Sequence, residues 1–221
     1  MLFASILVNL LFVGKKIYNR YQESLSEKPN KITYQLNRQT VYELLPVTKE
    51  DIVFAGDSHT EHFDLNEFFP NHPVKNRGIS GDTSPGLLAR FNQVVDGNPK
   101  KIFLEIGYND FQYDIKPDST IKNIALMVGQ IKTKSPKSAV YIISVFPSTT
   151  VVNGINPVNI ERKLNKDIRL YTERNKVHFI DLYSKLSNNG SLNKKYDAGD
   201  GIHLNGEGYT LWTKTIKEFV D

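Results

Sequence analysis

Short, unbroken apolar runs alternate with amphipathic stretches along most of this chain, and that alternation leaves few architectures open. DIVFAG (51–56) is apolar with no polar face, as in a strand covered on both sides. KKIFLEIG (100–107), SAVYIISVF (138–146) and VHFIDLY (177–183) share this character, and PVKNRGIS (73–80) is a weaker fifth run. Between them, SPGLLARFNQVV (84–95) predicts a helix with Ser84 as N-cap and Pro85 in its first turn. DSTIKNIALMVGQIKTK (118–134) places Ile121, Ile124, Met127, Val128 and Ile131 at helical spacing. NPVNIERKLNKDIRLYTERN (156–175) carries Ile160, Leu164, Ile168 and Tyr171 in one stripe. NGEGYTLWTKTIKEFV (205–220) predicts a last helix with Leu211, Thr215 and Phe219 on its inner face and Tyr209 and Trp212 packed beside it.

Strands alternating with helices imply right-handed crossovers and a parallel sheet covered on both faces. The expected fold class is α/β: a three-layer α/β/α sandwich around a flavodoxin-like five-stranded parallel sheet. Sites on such sheets lie beyond the carboxyl ends of the strands. There the sequence reads Gly56-Asp57-Ser58, then Gly78-Ile79-Ser80-Gly81-Asp82, then Gly107-Tyr108-Asn109-Asp110, and last a loop with Asp200-Gly201-Ile202-His203.

These residue types form a chemical set. A serine hydroxyl is a weak nucleophile until a base takes its proton. His203 supplies such a base, and Asp200 can accept the other ring N–H and stabilise the imidazolium. The oxyanion formed on attack needs fixed donors, which the backbone N–H groups of Ser58 and Gly81 and the amide of Asn109 can supply. Glycine at position 81 lets a substrate approach the backbone closely.

The blocks FAGDSHTE, NRGISGDTSPGLLAR, LEIGYND and DGIHLNGEGY resemble, in order, those of the SGNH or GDSL-type esterase/lipase family. The resemblance covers roughly residues 51–221. It implies Ser58 as nucleophile, Gly81 and Asn109 as partners of Ser58 in the oxyanion hole, and Asp200 and His203 as the rest of a triad. It implies two-step acyl transfer on a small-molecule ester, with no cofactor and no metal. His59 stands where GDSL members usually have leucine. The absence of a long lid insertion favours short acyl groups, acetyl foremost, on a carbohydrate or other polar alcohol. His59, Glu61, Arg77 and Tyr108 are the expected contacts to that alcohol. Lysophospholipase, thioesterase and acyltransferase activity remain alternatives within the family, and a non-catalytic binding domain is a further one.

Other readings are weaker. Asp57-Ser58-His59 is a D-x-H that could, with His62 and Asp82, suggest a metal-dependent phosphoesterase, but the carboxylate expected three residues after Asp82 is Pro85. No G-x-S-x-G is present. GEGYTL lacks the third glycine of a dinucleotide fingerprint, and Asn189-Gly-Ser reads as a turn. The 28 basic and 24 acidic residues give a net charge of +4 without a basic stripe, which argues against nucleic acid as a partner. The chain has no cysteine, so disulfides and a thiol nucleophile are excluded.

The beginning of the chain differs from the rest. Residues 1–22 open with MLFASILVNLLFVG and read as an apolar signal-anchor or signal-like segment, with membrane association through residues 1–14. The expected setting is the cell envelope, anchored or exported, with the cytoplasm as alternative. Residues 23–50 read as a connector and lead-in to a domain spanning 51–221.

Overall fold

The computed structural model describes Lys15, residues 31–151, Gly154 and residues 156–221. The apolar segment 1–14, most of 15–30 and the readings that rest on them lie outside the described residues. No helix among those described is long and apolar enough to cross a membrane. The chain divides into Met1–Asn37 and Arg38–Asp221. Helix α1 spans Lys31–Leu44.

The second unit holds a parallel sheet in the order β2-β1-β3-β4-β5. Its strands are β1 (Ile52–Gly56), β2 (Val74–Gly78), β3 (Lys101–Glu105), β4 (Ala139–Ile143) and β5 (His178–Ile180). Short helices α2 (Ser58–Glu61) and α3 (Leu65–Phe68) lead from β1 to β2. Helices α4 (Ser84–Ala89) and α5 (Asn92–Val95) lead to β3; α6 (Tyr108–Gln112) and α7 (Pro117–Lys134) lead to β4. Then come α8 (Val158–Asn175), α9 (Tyr183–Leu186), a small hairpin of β6 (Ser187–Asn188) and β7 (Ser191–Leu192), and α10 (Gly206–Val220). The five-stranded, doubly covered parallel sheet agrees with the sequence reading. Asn189 and Gly190 form the expected turn, both at positive φ (53° and 91°).

Alternation within each strand sorts the core into two layers. Phe54 stacks on Phe103 at 4.5 Å, and Phe103 on Tyr141 at 4.6 Å, across three strands in register. This aromatic ladder packs beneath Trp212 and Ile216 of α10. On the other face Val53, Ala55, Ile102 and Leu104 meet Leu87, Met127, Ile131 and Leu164 from α4, α7 and α8. β2 and β5 each have one neighbour, which explains the weaker apolar signal of 73–80.

Three local expectations are corrected. The N-cap of α4 is Thr83, whose hydroxyl accepts from the Gly86 N–H, so Ser84 is already helical. The stretch 84–95 is two helices rather than one, because Arg90 leaves helical geometry (φ −107°, ψ 14°) and turns its guanidinium into the sheet edge. The inner face of α10 is Tyr209, Trp212, Ile216 and Val220, with Leu211, Thr215 and Phe219 only partly buried.

Candidate active site

β1 delivers its last residues to a very tight corner. Asp57 caps α2 by accepting the His59 N–H at 3.1 Å, so Ser58 becomes the first helical residue. The corner packs against the end of β2 at Gly78, where an added Cβ would lie 2.2 Å from the Glu61 nitrogen. Ser58 is 8% exposed, and its N–H meets no protein acceptor among the described residues.

The loop after β2 is bound from three sides. Glu61 accepts the Ser80 N–H at 2.7 Å and the Ser80 hydroxyl at 2.5 Å. Arg90 pairs with Asp82 at 2.8 Å and also donates to the carbonyls of Arg77 and Gly56, the ends of β2 and β1. Gly81 sits between these anchors at φ +73°, a left-handed conformation that suits glycine. Its N–H, like that of Ser58, has no protein acceptor among the described residues.

Beyond β3, Asn109 lies on the first turn of α6. Its amide donates to the Asp82 carbonyl at 2.9 Å and to Asp57 Oδ2 at 3.2 Å. Both amide hydrogens therefore have acceptors in this state. The next residue, Asp110, is held by the Ser84 N–H, the Ser84 hydroxyl and the Thr120 hydroxyl.

The last loop brings the imidazole. Asp197 accepts the Gly199 and Gly201 N–H groups at 2.7 and 3.0 Å, and the Thr149 N–H donates to the Gly201 carbonyl at 2.8 Å. Asp200 Oδ1 accepts the N–H groups of Ile202 and His203. Its Oδ2 lies 2.6 Å from His203 Nδ1, and His203 Nε2 lies 3.0 Å from Ser58 Oγ. A carboxylate only accepts, so Nδ1 carries the proton and Nε2 is free to accept from the serine hydroxyl. Partial burial pushes the Asp200 carboxyl up, but the bonds from the His203 ring and the two backbone N–H groups outweigh it and hold it at about 2. A hydroxyl, a base and an orienting carboxylate thus lie in line, 145 residues of chain separating the first from the second. Chemically this arrangement can generate an alkoxide-like nucleophile beside two unengaged N–H donors.

Residues 54–211 match the GDSL-like lipase/acylhydrolase family. The chain belongs to that family. A GDSL-like lipase from Bacteroides thetaiotaomicron is 30% identical, with a TM-score of 0.74, covering 84% of this chain and 96% of that one. A lipase/acylhydrolase from Enterococcus faecalis, 22% identical, shares the fold with a TM-score of 0.67 over 77% of this chain and 95% of its own. An N-acylneuraminate cytidylyltransferase of Escherichia coli is 27% identical over 176 residues, which is 77% of this chain. The chain spans 40% of the length of that curated relative. As a GDSL acylhydrolase the protein is an ester-hydrolysing enzyme.

In this GDSL acylhydrolase the residues expected to touch the alcohol do other things. His59 is 1% exposed; its ring points inward, with Nε2 3.0 Å from the Ile202 carbonyl and Nδ1 3.3 Å from Asp57 Oδ1. Arg77 is buried, donates to the Leu45 carbonyl and lies over the Tyr42 ring at 4.8 Å. Glu61 is spent on Ser80 and on Arg38, 3.0 Å away. Tyr108 is 2% exposed, and burial pushes its phenol up to about 12. The rim residue that sequence reasoning passed over for this role is His62, exposed, with its ring 5.4 Å from that of His203. Its signal was its place four residues after Ser58, which puts both on one side of α2.

The metal reading also dissolves. Asp82 is engaged by Arg90, and His62 stands at the surface, away from the Asp57–His59 pair. Asp57, His59 and Glu105 do bring one donor atom each within 4.8 Å of one another. Among them, His59 Nε2 faces the Ile202 carbonyl and both Asp57 oxygens accept N–H groups, so these donor atoms already have protein partners.

Proposed function

We propose that this acylhydrolase is a serine esterase that removes short acyl groups, acetyl foremost, from a sugar or similar polar alcohol through an acyl-enzyme. Ser58 Oγ attacks the ester carbonyl as His203 Nε2 takes its proton. The resulting oxyanion is met by the N–H groups of Ser58 and Gly81, and by the Asn109 amide once it releases one of its two acceptors. His203 then gives the proton to the departing alcohol. Water attacks the acyl-enzyme with the same imidazole as base, and the acid leaves with Ser58 restored.

The observation that carries this reading is the 3.0 Å approach of Ser58 Oγ to His203 Nε2, with Asp200 2.6 Å behind the ring. Short acyl groups are favoured because the residue after Ser58 is packed into the core: His59 lies on Phe146 at 4.8 Å, and Phe146 on Trp212 at 4.9 Å. The match to a protein named for an N-acylated sugar acid supports a polar, sugar-like alcohol.

A panel of p-nitrophenyl esters from acetyl to palmitoyl, run beside peracetylated sugars and a lysophospholipid, tests the proposal. Acetyl esters should turn over fastest, and Ser58→Ala should abolish both turnover and labelling by a fluorophosphonate. A preference for long acyl chains overturns the substrate class. Full activity in Ser58→Ala overturns the mechanism. Preferential transfer to an added alcohol over water would make the enzyme an acyltransferase.

A further inference from the structure

The residue following the nucleophile is the most unusual feature of the interior. His59 follows Ser58 in the chain and is buried, yet both ring nitrogens face oxygen. Nε2 lies 3.0 Å from the Ile202 carbonyl, which can only accept, so Nε2 carries a proton. Nδ1 lies 3.3 Å from Asp57 Oδ1, within ion-pair range though outside hydrogen-bond geometry. Asp57 accepts the His59 N–H on Oδ1 and the Asn109 amide on Oδ2, the pattern of an ionised carboxylate. A bare Nδ1 would set its lone pair against the Asp57 carboxylate oxygen at that distance.

We infer that His59 is a doubly protonated imidazolium that pairs with Asp57 and ties the nucleophile's turn to the loop bearing the catalytic imidazole, acting as a positioning residue. It rests on the serine-esterase reading of Ser58 and His203. The connectivity is economical: His59 adjoins Ser58, Ile202 adjoins His203, and one N–H···O=C bond joins them. A second strap runs beside it, the Tyr209 hydroxyl donating to the His59 carbonyl at 3.0 Å from α10.

The charges around the ring are consistent with this state. Asp57 faces it from the β1 corner and Glu105 from the end of β3, while Glu161 acts on it from α8; the rings of His62 and His203 stand on the solvent side. Glu105 is 1% exposed, and neither carboxyl oxygen has a hydrogen-bond partner among the described residues. Burial, reinforced by the Asp57 charge, pushes its carboxyl well above the usual range, which disfavours a second anion beside Asp57. That leaves one buried anion and one buried cation, the arrangement in which a buried charge is tolerable. Burial alone would lower the His59 ring, but the adjoining Asp57 carboxylate outweighs it and brings it to about 9.

The test combines spectroscopy with kinetics. In full-length enzyme labelled with ¹⁵N-histidine, the resonance lost in His59→Gln should show two protonated ring nitrogens at pH 7.5. A neutral ring with a bare Nδ1 overturns the inference whatever the activity. His59→Leu and His59→Gln should lower kcat on p-nitrophenyl acetate by about 10²-fold with KM little changed, the scale expected when a reacting group is displaced by about 1 Å. Wild-type kcat in a folded His59→Leu or His59→Gln enzyme removes the positioning role. A stoichiometric metal ion in the purified protein, lost in Glu105→Gln, would replace the imidazolium with a bound cation and overturn the inference. Because the nitrogen spectrum is read without substrate, failure of this inference is distinguishable from failure of the esterase reading, which Ser58→Ala decides.

Discussion

Ser148 donates its hydroxyl to Glu161 at 2.6 Å, and the carboxyl that accepts it is wholly withdrawn from solvent. The pair joins α8 to the loop following β4, whose next residue, Thr149, holds the Gly201 carbonyl. A buried acid thus stands two contacts away from the loop that carries Asp200 and His203.

That acid gives the protein a pH-dependent stability. Burial raises the Glu161 carboxyl, the Ser148 bonds and the His59 charge lower it, and the balance is about 7 against an ordinary value of 4.5. Because the folded value is the higher, the stabilising contribution is complete below pH 4.5 and lost as pH rises through 7. The change amounts to about 3 kcal/mol. Glu161→Gln should therefore gain stability relative to wild type between pH 5 and pH 8 by roughly this amount, as read by urea unfolding at each pH. An unchanged difference between the two proteins across that range would show the carboxyl ionised throughout.

Asp200 has the opposite sign. Its folded value of about 2 lies below the ordinary 3.8, so its contribution is present above pH 3.8 and lost as pH falls through 2. Half-exposed as it is, the residue should matter little to stability. Asp200→Asn should instead lower kcat on acetyl esters at pH 7 by about 10²–10⁴-fold, because the amide no longer selects the Nδ1–H tautomer of His203. Circular dichroism should be unaltered.

Gly81→Ala tests the second oxyanion donor. Alanine at φ +73° costs about 1 kcal/mol, and any relief of that strain rotates the N–H away from the serine. The expected result is a small loss of stability with a fall in kcat of about 10²-fold, KM being little affected. Equal kcat in the two proteins would remove this N–H from the reaction.

Arg90→Met isolates the frame from the chemistry. The substitution strands Asp82 without its buried partner and releases the carbonyls of Gly56 and Arg77. It should cost about 3–5 kcal/mol in chemical unfolding and broaden the thermal transition. Wild-type stability would mean that water enters to replace the guanidinium.

The parts of this enzyme that were legible from sequence are those whose signals are local. Continuous apolar runs such as 51–56 betray a doubly covered strand, and their carboxyl ends pointed to Ser58, Gly81, Asn109, Asp200 and His203, which the fold does bring to one edge. His59, Glu61, Arg77 and Tyr108 were misread because a polar side chain in a loop near a nucleophile looks solvent-facing until its neighbours in space are known. Three are instead engaged by groups distant in sequence, Ile202 for His59, Leu45 for Arg77 and Ser80 for Glu61, and Tyr108 is buried. Glu161 and Asn165 went unnoticed for the same reason. On a helix they read as ordinary surface residues, yet Asn165 pairs both its oxygen and its nitrogen with Val145, continuing the hydrogen-bonding of β4 by a side chain.

The wide separation of hydroxyl and imidazole along the chain has a consequence for biosynthesis. The last strand of the sheet ends at Ile180, so every strand precedes His203 in the chain, and a polypeptide that stops short of that residue lacks the imidazole lying against Ser58. On the serine-esterase reading, turnover therefore waits for the last loop of the chain to be made and folded.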